Sequence, residues 1–236
     1  MPTNKTPQMP KLCKCHINEN SPSKTRWYPN SMPIYEEFLN KYIDNSYKDL
    51  RKNIAYNMQY LEYLHQTNIE LSLSSVITTQ NYKSFIIFSV SIIECVLYYS
   101  MVKNNLLKAQ DWKELRRTTN NIDKDTKYTL IFEKKIKEEN IVKIKLDSMI
   151  KKAKANAILG QDDPLYEELH DLQRLRNTTH MYNPKNQGTD WYIFKKSQYN
   201  LARSALFKIF KTLFKPNYEQ EKIIYFLKND QPIRNN

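Results

Sequence analysis

Between Ile34 and Leu159 the chain has neither proline nor glycine. Within that run apolar residues return every three or four positions, the repeat of one face of an α-helix. Tyr35, Phe38, Leu39, Tyr42 and Ile43, followed by Leu50, Ile54, Met58, Leu61 and Leu64, predict a first helix over 34–66. A second helix is expected over 79–107 and is apolar nearly all round. Its centre, residues 85–102, reads FIIFSVSIIECVLYYSMV, with Glu94 as its one charge. That length is close to the minimum for crossing a bilayer, and a carboxylate at mid-span is costly there. Long polar segments with helical patterning flank it, so a buried core helix is the expectation and no membrane is implied. Residues 108–140 mix Trp112, Leu115, Ile122, Leu130, Ile131 and Phe132 with many charges, within the same helix-after-helix reading but without clear boundaries. Residues 141–159 are amphipathic again, with Ile144, Met149 and Ile150 set against lysines and Gly160 as the expected C-cap.

Asp162-Asp163-Pro164 then has the chemistry of a helix start. An aspartate can accept from free N–H groups, proline costs nothing in the first turn, and Glu167 and Glu168 suit the positive end of the helix dipole. The helix is predicted to stop near Asn183, because Pro184 disfavours helical geometry in the residue before it. An extended piece at Trp191–Phe194, a helix over 197–214 closed by Pro216, and a short helix at Ile223–Leu227 complete the expected elements. Six of the ten prolines fall within residues 1–33, which read as an irregular arm. The domain reading is an arm at 1–33, a helical domain at 34–215 and a short helix or tail at 216–236. The expected fold class is all-α, an antiparallel helical bundle.

A formal charge of +12 and a pI near 9.4 favour polyanionic partners, nucleic acid above all, although lysines that only solvate helix faces give the same count. With only two glycines, Gly160 and Gly188, neither a P-loop nor a dinucleotide-binding fingerprint can be built. Cys13-Lys-Cys15-His16 invites a zinc reading, but the third cysteine, Cys95, lies inside the apolar helix, so a four-ligand site is short of donors. No metal or cofactor is expected. Three cysteines make no disulfide framework and no apolar leader follows the start, so a cytoplasmic protein is expected.

The densest chemistry is Arg174-Leu-Arg176-Asn177-Thr-Thr-His180. An imidazole moves protons at neutral pH, and a guanidinium grips a phosphate through paired hydrogen bonds. On a helical wheel Leu165, Leu169 and Leu172 form a stripe, Arg176 falls at its centre, and His180 lies at its edge one turn on. Arg174 points to the solvated side. A guanidinium on a packing face requires a partner, and Glu94 is the internal candidate. Such a pair is equally consistent with a purely structural role. His65 and His170 read as packing or surface residues.

Arg174, five intervening residues and His180, together with the Arg176-Asn177 pair and His180-Met181-Tyr182, resemble the signature of the HEPN superfamily: an arginine, four to six residues, then a histidine. The apolar helix with its lone Glu94 resembles that superfamily's second core helix. The likeness extends over residues 45–215. It implies a metal-independent endoribonuclease that works as a homodimer with a composite Arg/His site. His180 would be the general base or acid, Arg174 or Arg176 would hold the scissile phosphate, Asn177 would orient it, and Glu94 would fix an arginine. It further implies a toxin or phage-defence setting, with a nucleotidyltransferase-type antitoxin that would modify Tyr182. The alternatives are a non-catalytic HEPN-like module that binds RNA or nucleotide or only dimerises, and a purely structural helical protein.

Overall fold

The structure, a computed structural model, describes residues 29–107, 112–121, 126–135, 144–161, 163–179 and 190–229. Among them are eight α-helices and one two-stranded sheet: α1 (Met32–Asn40), α2 (Lys48–Glu70), α3 (Ser75–Lys103), β1 (Trp112–Asn121), β2 (Lys127–Lys135), α4 (Leu146–Ala155), α5 (Leu165–Asn177), α6 (Asp190–Ile193), α7 (Lys196–Phe214) and α8 (Tyr218–Ile223). Helix α3 is the axis of the molecule and packs against α2, α4, α5, α6 and α7. Phe85, Ile86, Val90, Ile92, Ile93, Val96 and Leu97 of α3 are buried, consistent with a core helix that no polar face interrupts. Helix α7 lies along it with Ala202, Ala205, Leu206, Ile209 and Phe210 inside.

The helix expected over 34–66 is two helices. Helix α1 stops at Asn40, and a 3-10 turn at Asn45–Tyr47 precedes α2. Side chains hold the break. Arg51 donates to the Ile43 carbonyl at 3.2 Å and to Asn45 Oδ1 at 3.1 Å. The Asp44 carboxylate accepts from the Tyr99 hydroxyl at 2.7 Å. In a run rich in Asn, Asp and Ser, such bonds compete with helix continuation.

The all-α class holds for most of the described residues, with one departure: Trp112–Asn121 and Lys127–Lys135 pair as two antiparallel strands. Arg117 faces Ile131, Thr119 faces Thr129 and Asn120 faces Tyr128, with a bulge between Glu114 and Arg116. The signal was the concentration of Thr, Tyr, Ile and Phe, residues that favour a pleated strand. The two strands contact mainly each other.

Three smaller differences follow local chemistry. Helix α4 covers 146–155 rather than 141–159; Gly160 does sit at φ +103°, but five residues past the helix end. The Asp163 carboxylate does accept from the Leu165 N–H at 2.8 Å, yet α5 ends at Asn177 instead of near Asn183. There the Thr178 and Thr179 hydroxyls donate to the carbonyls of Leu175 and Arg176, at 2.7 and 2.8 Å. Trp191 to Ile193 belong to a helical turn, not an extended piece, and its first residue Asp190 accepts from Lys83 at 2.9 Å.

The segment after Pro216 completes the core. Ile224 and Leu227 are fully buried, and the short helix α8 lies at 218–223 with a 3-10 turn at Tyr225–Leu227 behind it. The Arg203 side chain, 1% exposed, donates to the Phe226 carbonyl at 3.0 and 2.7 Å and to the Lys228 carbonyl at 2.7 Å.

Candidate functional site

Helix α5 lies beside α3 and brings Arg176 against Glu94, with Arg176 Nη1 to Glu94 Oε2 at 2.5 Å. About a third of each side chain remains exposed, 35% for Arg176 and 31% for Glu94. The guanidinium has five N–H donors, and among the described residues it makes this one hydrogen bond. The pair therefore sits at a water-accessible seam with donor capacity left over. Arg174, on the opposite side of α5, is exposed and pairs with Asp171 in its own helix. Asn177 is exposed at the last position of α5. The structure thus unites Arg176 and Glu94, two of the expected site residues, and directs Arg174 elsewhere. His180 and Tyr182 lie outside the described residues, as do Cys13, Cys15 and His16.

Cys95 adjoins the pair. Burial raises its thiol pKa, the Glu94 charge raises it further and Arg176 opposes this in part. A thiol kept protonated is a poor nucleophile, so Cys95 contributes packing here.

The same flank of α3 leaves an apolar stripe half-covered. Ile87, Phe88, Cys95, Tyr98 and Val102, with Ser84 and Ser91, recur at three- and four-residue steps, and Glu94 lies at their edge. Beyond it Tyr60 of α2 sits edge-on to Phe88, with ring centres 5.1 Å apart, and stacks beside Tyr63. A helix apolar on all sides is expected to be covered on all sides, and among the described residues this one is not.

The two described histidines, His65 and His170, serve packing or the surface, as expected. His65 is buried, shares a 2.6 Å hydrogen bond between Nδ1 and the Tyr199 hydroxyl, and is driven down to a pKa of about 3 by burial and then by the Arg203 charge. Burial pushes the Tyr199 hydroxyl well above its ordinary range. His170 Nδ1 lies 3.5 Å from Asp147, between α5 and α4. An arginine that sequence reasoning missed is Arg203, whose partners are backbone carbonyls that no side-chain pattern announces.

A surface cleft of ≈ 330 Å³ lies elsewhere, between the start of α3 and α6, with Thr79, Tyr82, Trp191, Phe194 and Lys195 on its walls. Tyr82 and Glu94 are twelve residues apart on α3, roughly 18 Å along its axis. The Arg176–Glu94 seam thus lies outside that cleft.

No known family model matches the chain, and no curated protein and no solved structure is significantly similar to it.

Proposed function

We propose that the protein is a metal-independent endoribonuclease of HEPN type that acts as a homodimer. The observation that carries this reading is the half-open Arg176–Glu94 pair, four positions before His180 in the chain. A carboxylate on one side fixes the guanidinium, about a third of which stays exposed with donors left for a phosphate. The net charge of +12 suits a polyanionic substrate.

In the reaction, the ribose 2′-oxygen attacks the adjacent phosphorus as one imidazole takes its proton. The phosphorus–5′-oxygen bond breaks, a second imidazole protonates the departing oxygen, and a 2′,3′-cyclic phosphate remains. His180 of each protomer would supply one imidazole. Arg176 would hold the non-bridging oxygens as charge builds on them, and Asn177 would steady the phosphate. The half-covered stripe of α3 beside Glu94 would be the dimer face. A toxin or phage-defence role belongs to the same reading, with Tyr182 as the target of a nucleotidylating antitoxin.

The test is incubation of the full chain with unstructured and structured RNA in EDTA, beside His180→Ala and Arg176→Ala. Wild type should yield fragments ending in 2′,3′-cyclic phosphate, and each variant should be at least a hundredfold slower. Binding without cleavage would instead support a non-catalytic RNA-binding module, a reading favoured by the neutralisation of Arg176 by Glu94 and of Arg174 by Asp171. Neither binding nor cleavage would leave a structural helical protein.

A further inference from the structure

The β1–β2 hairpin divides its side chains sharply by face. Directly opposed residues share a face, so Arg116 with Phe132, Thr118 with Leu130, and Asn120 with Tyr128 lie on one side. Lys134, two residues beyond Phe132, lies on that side as well. The hydrogen bond from the Asn120 amide to the Tyr128 hydroxyl, 3.0 Å, confirms the pairing and fixes the tyrosine ring. The other side holds Thr119 against Thr129 at 3.0 Å, Arg117 opposite Ile131, and both carboxylates of the two strands, Glu114 and Glu133. Arg117 binds Glu114 there through two hydrogen bonds, of 3.1 and 2.8 Å.

The first face therefore carries two aromatic rings, an aliphatic side chain, an arginine and a lysine, and no carboxylate. Tyr128 is 40% exposed, Leu130 48% and Phe132 55%. Arg116 forms no ion pair among the described residues. A two-stranded hairpin that contacts little else gains nothing for folding from such a face, since nothing among the described residues covers it.

We infer that this face is a docking platform for single-stranded RNA, which deepens the nuclease reading and rests on it for the choice of RNA as the polyanion. Tyr128 and Phe132 stand four residues apart on one strand, roughly 13 Å, a span that lets two unpaired bases of an extended strand stack on the two rings. Leu130 fills the space between them. Arg116 and Lys134 flank Phe132 and meet the backbone phosphates, while the acidic residues face away. Paired RNA hides its base faces, so the platform selects single strands.

The experiment measures fluorescence anisotropy of a labelled twelve-nucleotide oligouridylate in EDTA. The protein is the full chain carrying His180→Ala, so that binding is read without cleavage. Adding Tyr128→Ala and Phe132→Ala together should weaken binding at least tenfold, while Tyr128→Phe with Phe132→Tyr should stay within twofold of the parent. Arg116→Ala should lower the slope of log Kd against log salt by about 0.7. A duplex of equal length should bind at least tenfold more weakly than the single strand. Far-UV circular dichroism and Tm of the double-alanine protein should match the parent, because the hairpin stands apart from the helices. Affinity unchanged in the double-alanine protein overturns the inference, as does equal affinity for duplex. A shift from dimer to monomer mass with unaltered RNA affinity also overturns it and makes the face a self-association surface. Hairpin-dependent binding by a wild-type chain that cuts nothing keeps the platform and removes the nuclease; cleavage and binding both indifferent to the hairpin do the reverse.

Discussion

Arg203 and Arg176 are both arginines on helices that pack against α3, and their surroundings differ completely. Arg203 is enclosed, 1% exposed, and its guanidinium is taken up by the carbonyls of Phe226 and Lys228. Its ring of neighbours is shut, with Tyr199 beneath it at 5.6 Å and His65 hydrogen-bonded to that tyrosine. Arg176 meets one carboxylate at a seam still open to water. A guanidinium whose donors end on backbone carbonyls ties chain segments together. One held on a single side is oriented without being saturated, which is the condition for receiving a phosphate.

The largest effect should come from closing that contrast at Arg203. Arg203→Met removes the donors that satisfy the part-buried carbonyls of Phe226 and Lys228, and urea unfolding should show a loss of about 2–5 kcal/mol, about 1–3 for each carbonyl left unsatisfied. A loss below about 1 kcal/mol would mean that residues 216–229 are held by apolar burial alone. Next is Arg176→Ala, expected to slow RNA cleavage by about 10²–10³-fold while unfolding free energy changes by no more than about 1 kcal/mol. A variant as unstable as Arg203→Met would place Arg176 among the structural residues.

The third prediction concerns pH. Neutral His65 is strongly favoured in the fold, so the unfolded chain binds a proton that the folded chain refuses between its ordinary pKa, near 6.5, and about 3. Stability attributable to this site is complete above that window and declines as pH falls through it, by on the order of 2 kcal/mol at pH 5, at about 1.4 kcal/mol per pH unit. His65→Gln should flatten the urea-midpoint profile between pH 7 and 5, and a slope identical to wild type would remove His65 as its source. The smallest effect belongs to Arg174→Ala, with stability within about 0.5 kcal/mol of wild type and cleavage within twofold. If Arg174→Ala abolishes cleavage and Arg176→Ala does not, the two arginines exchange roles.

The legible parts of this chain are those in which neighbours along a helix carry the information. The apolar run at 85–102 and the 197–214 repeat return as helices, and Asp163 accepts from the first N–H of α5. Arg176 was readable because a charge in a leucine stripe needs a partner, and Glu94 was the only charge in the facing apolar run. The hairpin was legible only in the strand-favouring composition of residues 112–135: without glycine between the strands the strongest hairpin signal is missing, and its strand residues were absorbed into a helical run. The α1–α2 break and the early end of α5 rest on hydroxyl, amide and carboxylate bonds to nearby groups, which periodicity does not register.

Helical faces, the lone carboxylate of α3 and the arginines of α5 could be read directly from residue order, because each follows from spacing within a turn or two. Which arginine is enclosed and which stays at a wet seam depends on how far apart in the chain the covering groups are: 23 and 25 residues for Arg203, 82 for Arg176. The same holds for the uncovered stripe of α3 and the bare face of the hairpin. Exposure is a property of the surfaces that meet, and only packing in three dimensions decides which surfaces those are.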